Sequence, residues 1–270
     1  AVITNIGSAH LGLLGSRQAI AAAKCEITSY LNPNGLVIIP GNDSFLEKTL
    51  TKNWKGRIQK IELIDIDQNH NNNKNSNLKG FYNRSNNLIT IEGKEFELSF
   101  KGFHNAYNFM FVYAVAKEFG IDFKKYNKFN FESLSGRSNI VKSLKTTIFD
   151  ETYNASPESV KACLVNLLES PNNHFFIFGS MRELGPNTIK YHKDIFDFIL
   201  KTDIKKCIFI CDMEDQNRYV EYLKFNDKFL LTNEIKNVPN IINKFTSKGD
   251  YVLVKGSRFW QLENIISLID

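Results

Sequence analysis

The second half of the chain alternates short apolar runs with polar segments that are long enough to form helices. Buried parallel strands have this continuous apolar character, and the helices between them cover both faces of the sheet. The runs are TTIFD (146–150), HFFIF (174–178), KCIFIC (206–211), KFLL (228–231) and YVLV (251–254). The pattern predicts an α/β fold with a doubly wound parallel sheet from about residue 137 onward. Asp150, Gly179 and Lys255 are then expected at the carboxyl ends of their strands.

A helix start follows the first of these runs. Ser156 is placed as an N-cap and Pro157 as the first helical residue, and apolar residues recur at helical spacing through Leu168. The preceding turn, ETYNAS, must then lie at the carboxyl edge of the sheet. Ligands of doubly wound sheets bind at that edge, so this turn is a candidate binding element.

The first third of the chain is less regular. AVITNI (1–6) resembles a buried strand, and LVII (36–39) follows a strong turn and predicts another. Ser16 could cap a helix over residues 17–30. The apolar stripe expected for that helix consists of Ala19, Ile20, Ala23 and Ile27.

Residues 55–101 carry short extended runs around Gly93, which predict a β-rich insertion. Asn105 is then expected to cap a helix that ends at Gly120. The inward face of this helix should contain Tyr107, Phe111, Ala114 and Val115. A domain boundary is placed near the SGR tripeptide (135–137), which gives one domain over 1–136 and a second over 137–270.

Composition excludes several classes of protein. The net charge of +5 is spread without a Lys/Arg block, which argues against a nucleic-acid arm or a polybasic membrane segment. No apolar run approaches the length of a membrane-spanning helix. The four cysteines lack CxxC spacing, as expected in a reducing, cytoplasmic compartment, and Cys207 and Cys211 are expected to be buried on one strand face. The polar stretch at 68–77 predicts a loop.

Six separated segments carry a resemblance to a known family. They are TNIGSAHLGLLGS…AAAKCEI (4–27), GFHNAYN (102–108), SGR (135–137), FDETYNASPES (149–159), GSMRELG (179–185) and VLVKGSR (252–258). Their order and intervals resemble the Mur ligase family. The resemblance implies the later part of a central ATPase domain followed by a Rossmann-like C-terminal domain. The UDP-binding N-terminal domain and the phosphate loop of the family would lie upstream, and GxxxxGK[ST] is absent here.

The resemblance also implies an activity. Members of the branch with YNAxP and LVKGSR join D-alanyl-D-alanine to UDP-N-acetylmuramoyl-tripeptide in the cytoplasm, with ATP and Mg²⁺, for peptidoglycan synthesis and hence cell wall, cell shape and cell division. The carboxylate is activated as an acyl phosphate, which the incoming amine attacks. We expect a monomer that needs the missing N-terminal part and is inactive without it, and that neither binds nucleic acid nor inserts in a membrane.

Three residues are implied near the reacting phosphoryl group and the metal, and a fourth at the ribose of the nucleotide. His10 corresponds to a magnesium-ligating histidine and Lys24 to a lysine that is carbamylated in the family, which converts a cation into an oxygen ligand. Arg137 corresponds to a linker arginine near the γ-phosphate, where a forked cation suits transferring oxygens. Asp150 corresponds to an acidic residue that contacts the ribose. An interdomain ion pair remains an alternative for Arg137.

The remaining implied site residues contact nucleotide or substrate. Asn105 and Asn108 correspond to asparagines that contact the nucleotide. A carboxylate of the acceptor could be received at a helix N-terminus after Gly256. The substrate-binding candidates are Tyr153, Asn154, Arg182, Glu183, Lys255, Ser257 and Arg258. For Tyr153, simple packing in the turn is the alternative.

Several positions depart from the family pattern, among them Pro40-Gly41-Asn42 in place of an NaD-type segment, and two other functions stay open. Gly12, Ser180 and Glu151 replace an acidic residue, an aspartate and a second aspartate, respectively, which puts efficient catalysis in doubt. A non-catalytic nucleotide- or precursor-binding module would fit the absence of a phosphate loop. Another amide ligase of the superfamily, similar to folylpolyglutamate synthase, is the third possibility, although YNASP and LVKGSR argue against it.

Overall fold

The computed structural model describes residues 1–67, 76–125, 134–223 and 226–270. It divides into two compact units, Ala1–Gly7 with Leu14–Phe131, and Ser8–Leu13 with Glu132–Asp270. Most of the polar loop expected at 68–77 lies outside the described residues. Within the described ranges, no helix combines the length and apolar character needed to cross a bilayer. The domain boundary between residues 136 and 137 stays a prediction.

The first unit is built on a five-stranded sheet in the order β1-β2-β3-β4-β5. The strands β1, β2 and β3 run parallel, and β4 and β5 continue the sheet as antiparallel neighbours. Their bounds are Leu36–Pro40, Arg57–Asp65, Leu78–Asn83, Leu88–Ile91 and Lys94–Glu97. The extended runs expected at 55–101 are therefore strands, and they continue the sheet that β1 begins.

The strand expected at residues 1–6 is reduced to a single parallel bridge between Val2 and Ile38. The segment does run along β1, because the Ile3 amide donates to the Ile38 carbonyl at 3.0 Å. Ile3 and Ile6 are buried, so the apolar pattern correctly indicated burial. The ladder stops after these bonds, which makes the prediction of a full strand wrong.

Helix α1 is a single turn over Leu11–Leu14, and α2 spans Arg17–Cys25 before a 3₁₀ turn at Glu26–Thr28. Ser16 caps α2 as expected, since its side chain accepts from the Ala19 amide at 3.1 Å. The expected apolar stripe is partly wrong, because Ile27 is exposed beyond the end of the helix. The buried face consists of Ile20, Ala21 and Cys25.

Helix α3 spans Ser44–Asn53, and α4 spans Phe103–Glu118. The expectation that Asn105 caps α4 is wrong. Gly102 occupies the cap position with φ of 103°. Asn105 lies in the first turn, where its side-chain nitrogen Nδ2 donates to the Lys101 carbonyl at 2.8 Å. Gly120 ends the helix as expected, with φ of 70°. Phe111 and Ala114 are buried against the sheet, and Tyr107 is half-buried.

The second unit has a six-stranded sheet in the order β10-β9-β8-β11-β7-β6. Its strands are β6 (Asn139–Lys142), β7 (Thr147–Glu151), β8 (His174–Gly179), β9 (Ile204–Ile210), β10 (Phe229–Thr232) and β11 (Tyr251–Lys255). The last five are parallel, which confirms the doubly wound prediction and its five strands. The antiparallel edge strand β6 was missed because it alternates half-buried and exposed residues and has no apolar run.

Helices cover both faces of this sheet and bury two apolar clusters. They are α5 (Pro157–Leu168), α6 (Thr188–Leu200), α7 (Met213–Leu223) and α8 (Val238–Ile242). The predicted start of α5 is confirmed, since Ser156 and Ser159 form a reciprocal capping box ahead of Pro157. Cys207 and Cys211 are both buried in one cluster, as expected. Asp150, Gly179 and Lys255 lie at the same carboxyl edge, because β7 and β8 both pair in parallel with β11, which ends at Lys255.

Candidate active site at the carboxyl edge of the second sheet

The turn after β7 is held by hydrogen bonds from the side chain of Lys255, the last residue of β11. Its ammonium donates to the Asn154 carbonyl at 2.9 Å and lies 3.5 Å from the Glu151 carbonyl and 3.9 Å from a Glu151 carboxylate oxygen. Lys255 is only 4% exposed. A buried lysine with these partners shapes the turn, so these contacts favour a structural role. Its substrate-binding role stays a prediction.

The two acidic residues at the end of β7 hold the linker that leads into the second unit. Asp150 accepts from the Gly136 amide at 3.1 Å and from the Thr152 hydroxyl at 2.7 Å. Glu151 accepts from the Ser138 amide at 3.1 Å. Asp150 is buried with both oxygens in use, so its expected ribose contact stays a prediction that these bonds do not favour.

Between Gly136 and Ser138, the two residues held by these bonds, Arg137 lies over the side chain of Tyr153. Its guanidinium carbon is 4.0 Å from the centre of the tyrosine ring, and the Tyr153 amide donates to the Gly136 carbonyl at 3.1 Å. Asn154 follows, exposed, with its side-chain oxygen accepting from the Ala155 amide. Arg137, from the segment before β6, is therefore brought next to Tyr153 and Asn154 of the turn after β7.

The loop after β8 carries Arg182 and Glu183. The Arg182 guanidinium pairs with Asp212 and lies 4.4 Å from the ring centre of Phe259 and 5.4 Å from that of Trp260. Stacking and pairing fix the side chain, while a third of it stays exposed to solvent. Arg182 is thus positioned at the carboxyl edge of the second sheet, and Asp212 partly balances its charge.

A buried histidine fixes the backbone of this loop. The Met181 amide donates to Nε2 of His192 at 2.8 Å, so the ring proton is on Nδ1, which faces the Thr188 carbonyl at 2.8 Å. His192 is fully buried, and burial lowers its pKa to about 4. Protonation would cost the bond to Met181, because Nε2 would become a donor.

Acid should therefore destabilise the protein through His192. The unfolded chain takes up a proton below pH 6.5, whereas folded His192 stays neutral down to about pH 4. The free energy of unfolding should fall by up to about 3 kcal/mol as the pH drops through that window. Urea unfolding at several pH values will measure this slope. The His192→Gln variant should show a smaller slope, and equal slopes in the two proteins would contradict the prediction.

Residues Ser8–Leu13 pack within the second unit. The Ser8 hydroxyl donates to Glu158 at 2.8 Å, and its amide donates to the same carboxylate at 3.1 Å. His10 Nδ1 lies 2.5 Å from a Glu183 carboxylate oxygen, and the Gly12 amide donates to the Glu183 carbonyl at 2.7 Å. The segment that contains the predicted metal ligand is thereby fixed, with both His10 and Glu183 half-exposed.

Three predicted residues belong to the first unit. The Lys24 ammonium donates to the Asn5 carbonyl at 2.7 Å, and partial burial lowers the pKa of this lysine. Asn105 is half-buried in the first turn of α4, and Asn108, one turn later, is exposed. Asn108 is therefore accessible to a ligand of the first unit.

The donor set fits a magnesium ion only in part. Among the described residues, no cluster of three or more His, Cys, Asp or Glu side chains could hold a metal. His10 retains one ring nitrogen, Nε2, because Nδ1 faces Glu183. Magnesium is usually held by few protein ligands together with water and phosphate oxygens, so a site with His10 would need such oxygens from outside.

The C-terminal candidates differ from the expectation. Arg258 pairs with Glu263 at 2.6 Å, and the buried Ser257 hydroxyl faces the Phe259 amide at 3.5 Å. Gly256 is followed by a three-residue 3₁₀ turn, Arg258–Trp260, and a second 3₁₀ segment, Leu262–Leu268, comes after it. The expected helix N-terminus as a carboxylate receptor is therefore wrong, since so short a turn has no free array of amides.

Three of the departures from the family pattern, Gly12, Ser180 and Glu151, have close neighbours in the structure that account for them. A Cβ at Gly12 would lie 2.8 Å from the Gly185 nitrogen, so a larger residue does not fit there. Ser180 accepts from the Trp260 indole nitrogen, at 3.0 Å through its carbonyl and 3.2 Å through its hydroxyl. Glu151 holds Ser138. These bonds explain how the fold accommodates the three residues.

Sequence reasoning missed several residues that hold the site. They are Ser138, Glu158, His192, Asp212 and Trp260. A weak signal existed for Glu158, which lies in the first turn of a helix that begins at the carboxyl edge. The others can be recognised only from contacts between positions that are distant in sequence, such as the bond from Trp260 to Ser180, which are 80 residues apart.

Comparison with protein families identifies both halves of the chain. Residues 1–116 match the Mur ligase middle domain, and residues 136–258 match the Mur ligase, glutamate ligase domain. The chain belongs to the Mur ligase family. This confirms the resemblance and places the carboxyl edge described above in the C-terminal domain of a Mur ligase.

Curated relatives of this Mur ligase chain share one name. The UDP-N-acetylmuramoyl-tripeptide--D-alanyl-D-alanine ligase of Bacillus subtilis is 30% identical over 283 residues, which cover 98% of this chain and 58% of that protein. The protein of the same name from Synechocystis is 29% identical over 197 residues, covering 72% and 41%. The chain thus spans about half of the length of the curated relatives that it matches.

Solved structures confirm the fold. The MurF ligase of Thermotoga maritima, in complex with ADP, superposes with a TM-score of 0.79 over 99% of this chain and 60% of that chain, at 22% identity. A MurF structure from Acinetobacter baumannii also has a TM-score of 0.79, at 21% identity, covering 98% and 58%. Both alignments include residues from each of the two units.

Proposed function

We propose that this chain is the central and C-terminal part of an ATP-dependent ligase that joins D-alanyl-D-alanine to UDP-N-acetylmuramoyl-tripeptide. The observation that carries the proposal is the match of 98% of the chain to a ligase with that name. The grouping of Arg137, Tyr153, Asn154 and Arg182 at the carboxyl ends of parallel strands supports it, because that edge is where such sheets bind ligands. The reaction belongs in the cytoplasm, where ATP and UDP-linked precursors are found.

The proposed reaction activates the tripeptide carboxylate as an acyl phosphate. A carboxylate oxygen attacks the γ-phosphorus of ATP and ADP leaves. The amine of D-alanyl-D-alanine then attacks the acyl carbon, inorganic phosphate leaves, and the amine loses a proton. Negative charge accumulates on the transferring oxygens, and a fixed cation beside them lowers the barrier. Arg137 supplies that cation in this proposal.

Other residues bind the nucleotide and the metal. Asn105 and Asn108 contact the nucleotide, and His10 with carbamylated Lys24 would hold magnesium. A bound magnesium ion would neutralise charge on the phosphate oxygens. Within this chain, Glu183 fixes the His10 ring so that Nε2 is the free ligand atom, and burial of Lys24 raises the fraction of neutral amine that can take up CO₂.

The acceptor dipeptide is bound by the C-terminal domain. It presents a free amine to the acyl phosphate and a carboxylate one residue further away. Arg258, which is exposed, and Arg182, which is half-buried, are the cations near the carboxyl edge that can meet this carboxylate, although each already has an acidic partner. An added carboxylate would share these guanidinium groups, each of which has several donors.

The test is a ligation assay with the full-length protein. It should convert ATP, UDP-N-acetylmuramoyl-tripeptide and D-alanyl-D-alanine into ADP, phosphate and the UDP-linked pentapeptide in equal amounts. Lysine or glutamate as single acceptors should react at least about a hundredfold more slowly, because the site must hold the distant carboxylate.

Two outcomes would contradict the proposal. A preference for a single amino acid would point to another amide ligase of the superfamily. Binding of the precursor without any ADP formation would indicate a non-catalytic module. As a matched control, the 270-residue chain alone should not hydrolyse ATP, because its sequence contains no phosphate loop.

A further inference from the structure

Arg137 is fixed at three points around its backbone. The amide before it, at Gly136, donates to Asp150 at 3.1 Å, and the amide after it, at Ser138, donates to Glu151 at 3.1 Å. The Gly136 carbonyl accepts from the Tyr153 amide at 3.1 Å. Asp150 and Glu151, which are adjacent at the end of β7, thus hold the backbone on both sides of Arg137.

Tyr153 restrains that side chain. The guanidinium carbon lies 4.0 Å from the ring centre, within the range of a favourable cation–π contact. Lys255 supports the same turn through the Asn154 carbonyl at 2.9 Å, so the ring stands on a fixed backbone. The planar guanidinium stacks on the flat face of the ring, and its N–H groups, which point outward in the guanidinium plane, stay free to donate hydrogen bonds.

Arg137 differs from the other two arginines of the site in its ion pairing. Arg182 pairs with Asp212 and Arg258 pairs with Glu263. Within residues 134–223 and 226–270, and elsewhere in the described chain, no acidic side chain pairs with Arg137. An exposed guanidinium that is fixed but not neutralised is suited to an oxyanion.

We propose that Tyr153 is a positioning residue for Arg137: its ring holds the guanidinium toward an oxyanion at the carboxyl edge of β7 and does not itself contact substrate. This inference rests on the proposed function for the identity of the anion, the transferring phosphoryl group of ATP. It assigns Tyr153 a different role from the substrate contact expected from the sequence. Loss of the ring should therefore impair catalysis only through Arg137.

The geometry can be tested in the 270-residue chain by NMR. The Nε–H resonance of Arg137, identified by its disappearance in Arg137→Lys, should be shifted upfield by the ring current of Tyr153. The shift should persist in Tyr153→Phe, which keeps the ring, and vanish in Tyr153→Leu. Tyr153 is half-exposed, so these substitutions leave the core untouched. An Arg137 resonance that is unchanged in Tyr153→Leu would overturn the inference.

The role is tested by a double-mutant cycle in the full-length ligase. Tyr153→Leu should lower kcat about tenfold, with the KM of each substrate within about twofold, and Tyr153→Phe should restore kcat. In the Arg137→Ala background, Tyr153→Leu should have no further effect. Additive effects, or a rise in KM in place of the fall in kcat, would overturn the inference and indicate direct substrate contact.

The two levels of the hypothesis can be separated. Full activity in Arg137→Ala would refute the proposed role of Arg137, and with it the catalytic part of the inference, whatever the NMR result. An inactive Arg137→Ala enzyme together with an unshifted Arg137 resonance would refute only the role of Tyr153.

Discussion

Replacing Lys24 with alanine should lower the ligase activity of the full-length protein by about a hundred- to a thousandfold while leaving the fold intact. Lys24 is on the exposed side of α2, and alanine is a better helix former than lysine, so stability should change little. In the function proposed above, the activity falls because Lys24 would carry a carbamate, an anionic oxygen ligand that alanine lacks.

The chemistry of Lys24 favours carbamate formation. Only a neutral amine reacts with CO₂, and partial burial lowers the pKa of Lys24, which increases the neutral fraction at a given pH. The modification should therefore persist to lower pH than on an ordinary surface lysine. Mass spectrometry in bicarbonate buffer should detect it, and bicarbonate depletion should reduce activity in the parent protein only.

A matched variant completes this experiment. Lys52 lies in the last turn of α3 and is exposed, so Lys52→Ala should retain full activity. Short carboxylates added to Lys24→Ala should partly restore activity by occupying the space of the missing carbamate. Unimpaired ligation by Lys24→Ala would show that the residue is an ordinary surface lysine.

Replacing Lys255 with methionine should destabilise the second unit by about 3 kcal/mol. The substitution keeps the apolar stem but leaves the Asn154 carbonyl and the Glu151 carboxylate without their buried cation. Removal of one partner from a buried polar group costs more than the bond itself contributes, because the remaining group cannot recover its hydration. Urea unfolding, followed by the fluorescence of the buried Trp260, will measure the loss.

Lys206 provides the control for this experiment, because its ammonium also donates to a backbone carbonyl, that of Asp227, but the bond is exposed to solvent. Lys206→Met should cost less than about 1 kcal/mol. Equal losses in the two variants would show that burial of the Lys255 contacts is unimportant. Weaker D-alanyl-D-alanine use in Lys255→Met, if accompanied by this destabilisation, would reflect distortion of the turn at residues 151–154.

Much of the second unit could be predicted because its strands are buried on both faces. The run HFFIF needs no partner to be recognised, since β8 is buried along its whole length. β6 could not be recognised, because an edge strand exposes alternate side chains and its pairing depends on β7. The start of α4 was misplaced because Gly102 adopts a backbone conformation that lets the helix begin before Asn105.

The location of the site could be predicted, whereas its internal contacts could not. Parallel strands bring their carboxyl ends together, so the turn at Tyr153 and the loop at Arg182 had to share an edge. The bond between Lys255 and the Asn154 carbonyl joins positions 101 residues apart and depends on which way a buried side chain points. Sequence similarity supplied the candidate residues, and the structure separates those whose side chains face solvent, such as Arg137, from those that are buried under the turn, such as Lys255.

The position of β11 in the second sheet constrains how this unit folds. β11 comes last among the strands but lies between β7 and β8, with which it pairs through parallel ladders on both sides. Until Tyr251–Lys255 has left the ribosome, β6 with β7 and β8 with β9 and β10 are two separate sets of strands with exposed inner edges. Closing the sheet requires contacts of long sequence separation, which form slowly. A nascent chain halted before Tyr251 therefore presents two unpaired edges at once, where chaperones or a second nascent chain can bind.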